Sequence, residues 1–330
     1  MTDAACDSPV RVNIWQEGEY TWPAAFGFQP NLRLYLHPGE ERRPCVLVIP
    51  GGAYRYVSPS EAGIVAQCFY EKGYHAAVGT YTANCADVVP LKKQPLMDLS
   101  RMVRVLRKNA DAWRIDPEGV VLIGFSAGGH LCGSLCVFWD RVSDGNPDYA
   151  EISNRPDGAI LSYPVITSGP FAHRESFVAL LGADASPEEI EEMSLEKQVN
   201  AQTPPIFLWQ TATDESVPVE NSYLMAEALK AAGIPFAHHV FPKGQHGLSL
   251  SNQAWAKGEL GDPYTQEQNW KTAEAVKAGK VTLPPAIEGW FAPFLHPEDP
   301  PKMQFQHIPV REAAVWPSLA DCWIQENVIK

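Results

Sequence analysis

Strand-like and helical runs alternate along this chain, which predicts an α/β fold with a mostly parallel central sheet and helices on both faces. Two further observations support that class. The uncharged apolar run Val120-Val121-Leu122-Ile123 reads as a strand buried on both sides, as parallel strands are. With 330 residues and 45% hydrophobic content, the chain is long enough to bury a large core.

Taken in order, Leu32 to Leu36 and Cys45 to Ile49 read as strands, joined by a polar turn around Gly39. Glu61 to Glu71 reads as a helix and His75 to Thr80 as a strand. Leu96 to Trp113 reads as a long amphipathic helix with Met97, Val103, Leu106 and Trp113 among its apolar positions. After the apolar run, Ala127 to Phe138 has small residues where a helix presses on a sheet: Ala127, Gly128, Gly129, Gly133 and Ser134. Ala159 to Tyr163, Ile206 to Thr211 and Phe236 to Phe241 continue the strands, with Val219 to Ala232 a helix between the last two.

The alternation lapses between Pro164 and Pro205, where the acidic stretch Pro187 to Gln198 is helical in character. It is either a lid or a solvated helix that only covers the sheet. From Pro284 the chain is proline-rich and carries Trp290, Trp316 and Trp323, too many tryptophans for a flexible tail. The expected organisation is one domain over 1–283, with a lid-like insertion at about 164–205. An extension over 284–330 then packs on that domain or in a dimer contact, so a homodimer is one expectation.

Composition excludes several classes. A net charge of −13 disfavours nucleic acid and anionic membranes as partners, because both attract basic surfaces. Gly119 to Trp139 is long and uncharged, but five glycines and a histidine interrupt it, and its halves have separate strand and helix character, so it is not read as a membrane span. The N-terminus offers no basic region followed by an apolar core, so a cytoplasmic location is expected. Seven cysteines without paired Cys-x-x-Cys spacing fit a reduced protein. Cys132 and Cys136, four apart after Ser126, read as small packing residues.

Chemistry concentrates at Gly124-Phe125-Ser126-Ala127-Gly128. A strand that turns into a helix within a few residues needs small side chains at both glycines, and the turn lifts the Ser126 hydroxyl above the sheet. A serine hydroxyl is a weak nucleophile until a base takes its proton and a carboxylate orients that base. Of nine histidines, His246 sits in a loop directly after a strand, in Lys243-Gly244-Gln245-His246-Gly247, where glycines free the backbone to aim its ring. His238 and His239 lie within a strand, and His130 lies one turn into the helix after Ser126. The acid is expected at the carboxyl end of a strand, which places Asp214 after Ile206 to Thr211, with Glu215 and the helical Asp98 as weaker rivals. An oxyanion site needs backbone N–H donors, expected from Ala127 and from Gly52 and Ala53 in the loop after Cys45 to Ile49. No cluster of His, Cys and Asp has metal-ligand spacing, so no metal or organic cofactor is expected.

Through Pro50-Gly51-Gly52-Ala53-Tyr54, Gly124-Phe125-Ser126-Ala127-Gly128-Gly129-His130, Asp214 and His246, the chain resembles α/β-hydrolases of the acetyl esterase and acetylxylan-esterase-like group. That group is related to the feruloyl-esterase-like and hormone-sensitive-lipase branches, and the likeness covers about residues 30 to 250. Pro50 and Ala53 depart from the usual early motif, which has a histidine and a third glycine there; a hydrogen bond that braces the loop is then missing. The resemblance implies a Ser126, Asp214 and His246 triad that hydrolyses short acyl esters through an acyl-enzyme, with acetylated xylo- or manno-oligosaccharides as substrates. Tyr54, Tyr56 and Tyr81 are candidates to border the pocket, against the alternative that they pack in the core or loops. An amide or formamide hydrolase, arylformamidase or peptidase-like, and a non-catalytic binding protein are the competing readings.

Overall fold

A computed structural model describes residues 9–297 and 308–329. Eight strands form one sheet: β1 Val10–Asn13, β2 Asn31–Tyr35, β3 Arg43–Ile49, β4 His75–Thr80, β5 Ile115–Phe125, β6 Gly158–Ser162, β7 Ile206–Thr211 and β8 Phe236–Phe241. Their order is β1-β2-β4-β3-β5-β6-β7-β8. The pairings β1–β2 and β2–β4 at one edge are antiparallel and the other five are parallel, as the sequence predicts for most of the sheet. β4 lies between β2 and β3, so the turn around Gly39 joins strands that are not neighbours.

Alternate side chains along each central strand feed two separate cores. Leu47 and Leu122 face the core closed by the helices Gln94–Lys108, Ser126–Phe138 and Glu220–Ala231. Val46, Val48, Val121 and Ile123 face the other, closed by Gly63–Glu71 and the C-terminal helix Trp316–Asn327. Trp316 stacks on Trp209 of β7 at 5.4 Å between ring centroids, so the extension seats a tryptophan directly on the sheet.

Differences from the expected elements have local causes. The helix expected over Leu96 to Trp113 breaks at Asn109 into Gln94–Lys108 and a short turn, Ala110–Trp113, which Arg114 ends in the left-handed conformation. Met97, read as an apolar position, is exposed. Glu61 belongs to a 3-10 turn, Pro59–Glu61, that precedes the helix Gly63–Glu71. Between Pro164 and Pro205 lie two helices, Arg174–Leu181 and Pro187–Glu192; the second begins with a capping box of Ser186 and Glu189. β1 and the helices Glu267–Lys277, Pro285–Leu295 and Trp316–Asn327 went unread in the sequence, because their apolar positions pack on surfaces that only the fold creates. Among the described residues, no helix is long and apolar enough to cross a membrane.

Candidate active site

β5 ends at Phe125 in extended conformation, and Ser126 opens the next helix with a φ of 51°. A non-glycine residue held there is strained, and the surroundings must enforce it. The close packing of the glycines shows how. A methyl at Gly124 would stand 2.5 Å from the Gly128 carbonyl oxygen, and one at Gly128 would fall on the carbonyl oxygens of Ile49 and Pro50. The sharp turn is thus pressed against the end of β3, where the glycine loop begins.

His246 Nε2 lies 2.8 Å from Ser126 Oγ, and His246 Nδ1 lies 2.7 Å from Asp214 Oδ2. The sequence-predicted serine, histidine and aspartate therefore form one hydrogen-bonded chain across residues 120 and 32 positions apart. Asp214 Oδ1 accepts from the Ser216 and Val217 N–H groups at 3.0 and 2.9 Å, which fixes the carboxylate while Oδ2 faces the ring. Glu215 is exposed, and the carboxylate bonded to His246 is that of Asp214. Asp98 is buried at a separate place, where it accepts from Trp15, Thr82 and Gln94 and anchors the segment after β4. The His246 loop is tied back to β7: Thr211 and Thr213 hydroxyls donate to the Gly244 carbonyl, at 2.8 and 3.1 Å. His238 bonds Ser222 and His130 bonds Tyr54, so neither competes for the serine.

Gly52, Ala53 and Tyr54 all have positive φ, at 123°, 53° and 60°. Two non-glycine residues in a row in this region cost on the order of 1 kcal/mol each, so the loop must be held from several sides. It is. Arg55 and Tyr56 N–H groups donate to the Gly52 carbonyl, Asn84 N–H donates to the Tyr54 carbonyl, and Ser58 N–H donates to the Gly51 carbonyl. In place of the missing histidine brace, Tyr81 donates its hydroxyl to the Pro50 carbonyl at 2.8 Å, and the buried Glu61 accepts from Gly51 N–H at 2.8 Å. Sequence reading missed Glu61, which looked like an ordinary acidic residue at a helix start.

These groups surround a cavity of about 470 Å³ whose wall includes Gly52, Ala53, Ser126 and His246. Ala127, in the first helical turn beside Ser126, is fully buried. Tyr54 and Tyr81 do not border the cavity. Both are buried behind the loop, because their hydroxyls are spent on His130 and Pro50, and they brace the loop rather than meet a substrate. Tyr56 does line the cavity, as do Ser58, Ser60, Ser216 and Gln245. His173, just before the helix Arg174–Leu181, also lines the cavity, so the insertion contributes to the site. Its imidazole is held below the ordinary histidine range, by burial first and by the nearby His246 second. Among the described residues, no group of three His, Cys, Asp or Glu is placed to hold a metal ion.

Sheet order, strained serine turn and the hydrogen-bonded serine, histidine and aspartate define an α/β-hydrolase. The chain belongs to the BD-FAE family, whose family model matches residues 32–229. It is 53% identical to endo-1,4-beta-xylanase B of Butyrivibrio fibrisolvens over 266 residues, which are 81% of this chain and 42% of that protein. Acetylxylan esterase of Xylanibacter ruminicola is 28% identical over 218 residues, 64% of this chain and again 42% of the relative. The chain thus spans less than half the length of either. Among solved structures, the acetyl ester-xyloside bifunctional hydrolase from Caldicellulosiruptor lactoaceticus superposes with a TM-score of 0.69 at 32% identity, covering 84% of this chain and 100% of that one.

Proposed function

We propose that this protein is a serine carboxylesterase that removes short acyl groups, acetyl above all, from xylo- or manno-oligosaccharides. The observation that carries the reading is the unbroken chain from Asp214 through His246 to Ser126 at the cavity that the glycine loop lines. Ser126 Oγ attacks the acyl carbon while His246 Nε2 takes its proton. The oxyanion is met by the N–H groups of Gly52 or Ala53 and of Ala127, each donor contributing roughly 3 kcal/mol to the barrier reduction. Collapse expels the alcohol, protonated by His246, and leaves the acyl on Ser126. Water, deprotonated by the same imidazole, then releases the acid and restores the serine. The residues present need no cofactor for these steps.

The cavity wall favours a small acyl group and a polyhydroxylated alcohol. Among the described residues that line it, none carries an aliphatic side chain larger than that of Ala53, whereas Ser58, Ser60, Ser216 and Gln245 offer hydroxyl and amide partners. On one side Tyr56 meets Trp290 at 5.6 Å between ring centroids, and Trp290 stays 37% exposed while Phe291 beside it is buried. A partly exposed, flat indole packed on a residue of the cavity wall suits the apolar face of a sugar ring. Two of the named relatives act on xylan or carry xylanase in their names, and cleavage of a glycosidic bond uses two carboxyl groups flanking it. Among the described residues of this cavity wall, Glu61 is the one carboxylate, and both its oxygens are occupied, which supports ester rather than glycoside cleavage here.

The test is hydrolysis of 4-nitrophenyl acetate, butyrate and octanoate, with acetate release from acetylated xylo- and manno-oligosaccharides, by the wild type and Ser126→Ala. Serine-dependent rates that fall with acyl length and extend to the saccharides are expected. Activity on formamides or amides with none on esters would overturn the reading.

A further inference from the structure

Glu61 stands outside the proton relay, yet it is 4% exposed at the cavity wall, and both its oxygens accept hydrogen bonds from elements that frame the chemistry. Oε2 accepts from Gly51 N–H at 2.8 Å, at the root of the oxyanion loop. Oε1 accepts from the Tyr163 hydroxyl at 2.7 Å, and that hydroxyl oxygen in turn accepts from Ser249 N–H at 3.0 Å, three residues after His246. The Tyr163 ring meets the His246 ring edge to face, 5.0 Å between centroids. A second link runs beside the first: Ser249 Oγ donates to the Ser60 carbonyl at 2.6 Å.

Each partner of Glu61 is a donor, so the ionised carboxylate satisfies both; a neutral acid or an amide would have to present a hydrogen to one of them. Burial pushes Glu61 up from the ordinary carboxylate range, and the bonds from Tyr163 and Gly51 and the field of His246 oppose that rise. The titratable groups facing Glu61 are the phenols of Tyr56, Tyr81 and Tyr163 and the imidazole of His246. His246 is thus the one among them that becomes a cation. Facing His246 are Asp214 at Nδ1, Tyr163 at the ring, His173 in the same cavity wall, and Glu61.

We propose that Glu61 is a positioning residue whose ionised carboxylate locks the oxyanion loop at Gly51 to the histidine loop at Ser249 through Tyr163, and whose charge favours the imidazolium formed at His246 during turnover. This rests on the proposed esterase reading and adds a coupling that the serine, histidine and aspartate do not supply. An oxyanion donor and a general base must hold their spacing to within a fraction of an ångström, and they sit on separate loops. One buried anion that both loops contact ties their positions together.

The experiment compares wild type, Glu61→Gln, Glu61→Asp, Tyr163→Phe and the Glu61→Gln/Tyr163→Phe pair on 4-nitrophenyl acetate across pH, together with the rate at which a fluorophosphonate labels Ser126. Glu61→Gln is expected to lower kcat by about 100-fold with KM within about threefold, the size of a misplaced oxyanion donor. It should also move the acid limb of kcat/KM to lower pH, because a negative charge facing the base is gone. Tyr163→Phe should lower kcat while leaving that limb in place, and the pair should lose less than the product of the two single losses. Glu61→Asp, which keeps the charge, should keep the limb.

An unmoved acid limb in Glu61→Gln, or full additivity with Tyr163→Phe, would overturn the proposal. If Glu61→Gln does not fold, Tyr163→Phe decides: wild-type kcat in that variant overturns the coupling. Labelling separates this from the esterase reading. Should no ester be hydrolysed, that reading falls, while slowed labelling of Ser126 in Glu61→Gln and Tyr163→Phe would still support the coupling, and unchanged labelling would sink it.

Discussion

The Tyr54 hydroxyl lies 2.8 Å from His130 Nδ1, joining the strained loop before the cavity to the helix that Ser126 opens. His130 Nε2 lies 3.0 Å from the Met193 carbonyl in the insertion. A carbonyl only accepts, so Nε2 carries the proton and Nδ1 accepts from the tyrosine. One neutral imidazole therefore ties together the loop, the serine helix and the insertion.

This neutrality has a pH consequence. Burial pushes His130 down to about 4, against an ordinary histidine near 6.5. As pH falls through 6.5 the unfolded chain takes up a proton that the folded chain refuses, so stability drops with falling pH until about 4. The full effect is about 3 kcal/mol. Thermal unfolding of His130→Asn should be lower than wild type at neutral pH but flatter between pH 6.5 and 4; parallel curves would contradict the assignment.

With Ser126 as nucleophile, Ser126→Ala and His246→Ala should each lower kcat by about a million-fold and leave the melting temperature nearly unchanged. Asp214→Asn presents the wrong partner to His246 Nδ1 and should cost about ten-thousand-fold. Glu215→Gln, at an exposed position, should stay within about twofold. Single-turnover rates with 4-nitrophenyl acetate distinguish these, and a Glu215 variant more impaired than Asp214→Asn would refute the acid.

Gly128→Ala is expected to destabilise by about 3 kcal/mol, because the added methyl meets backbone oxygens of Ile49 and Pro50 that cannot turn away. Activity should fall further than stability explains, since those carbonyls lie at the root of the glycine loop proposed to carry the oxyanion donors. Gly145→Ala is the control, as a methyl there has nothing within 4 Å. Chemical denaturation of both variants, with kcat measured well below the transition, checks the prediction.

Trp290→Ala should reduce kcat/KM on acetylated oligosaccharides about tenfold, the loss of roughly 1.4 kcal/mol of ring contact. Hydrolysis of 4-nitrophenyl acetate, which is too small to reach an indole behind Tyr56, should change by less than about twofold. Equal losses on both substrates would assign Trp290 to holding Tyr56 in place rather than to saccharide contact.

Strands β4, β7 and β8 coincide with the runs read from the sequence, because buried parallel strands are continuous apolar or β-branched segments between turns and need no knowledge of their neighbours. Ser126, Asp214 and His246 were legible for a related reason: the elbow, the strand-end acid and the glycine-flanked histidine are each local patterns. Tyr54 and Tyr81 show the opposite case. Whether an aromatic residue near a site faces the cavity or the core depends on where its hydroxyl finds a partner, here His130 and Pro50.

By itself the sequence determined the fold class, the order of the chemical groups along the chain and the loops that carry them, since propensity, periodicity and turn chemistry act over a few residues. Only the tertiary structure decided that β4 separates β2 from β3, that Trp316 covers Trp209, and that Glu61 grips both Gly51 and Tyr163. Glu61 and Tyr163 alone stand 102 positions apart in the chain. Burial leaves a polar group no water to bond, so it must find its partner wherever the fold places one, and apolar rings pack wherever the fold brings their surfaces together.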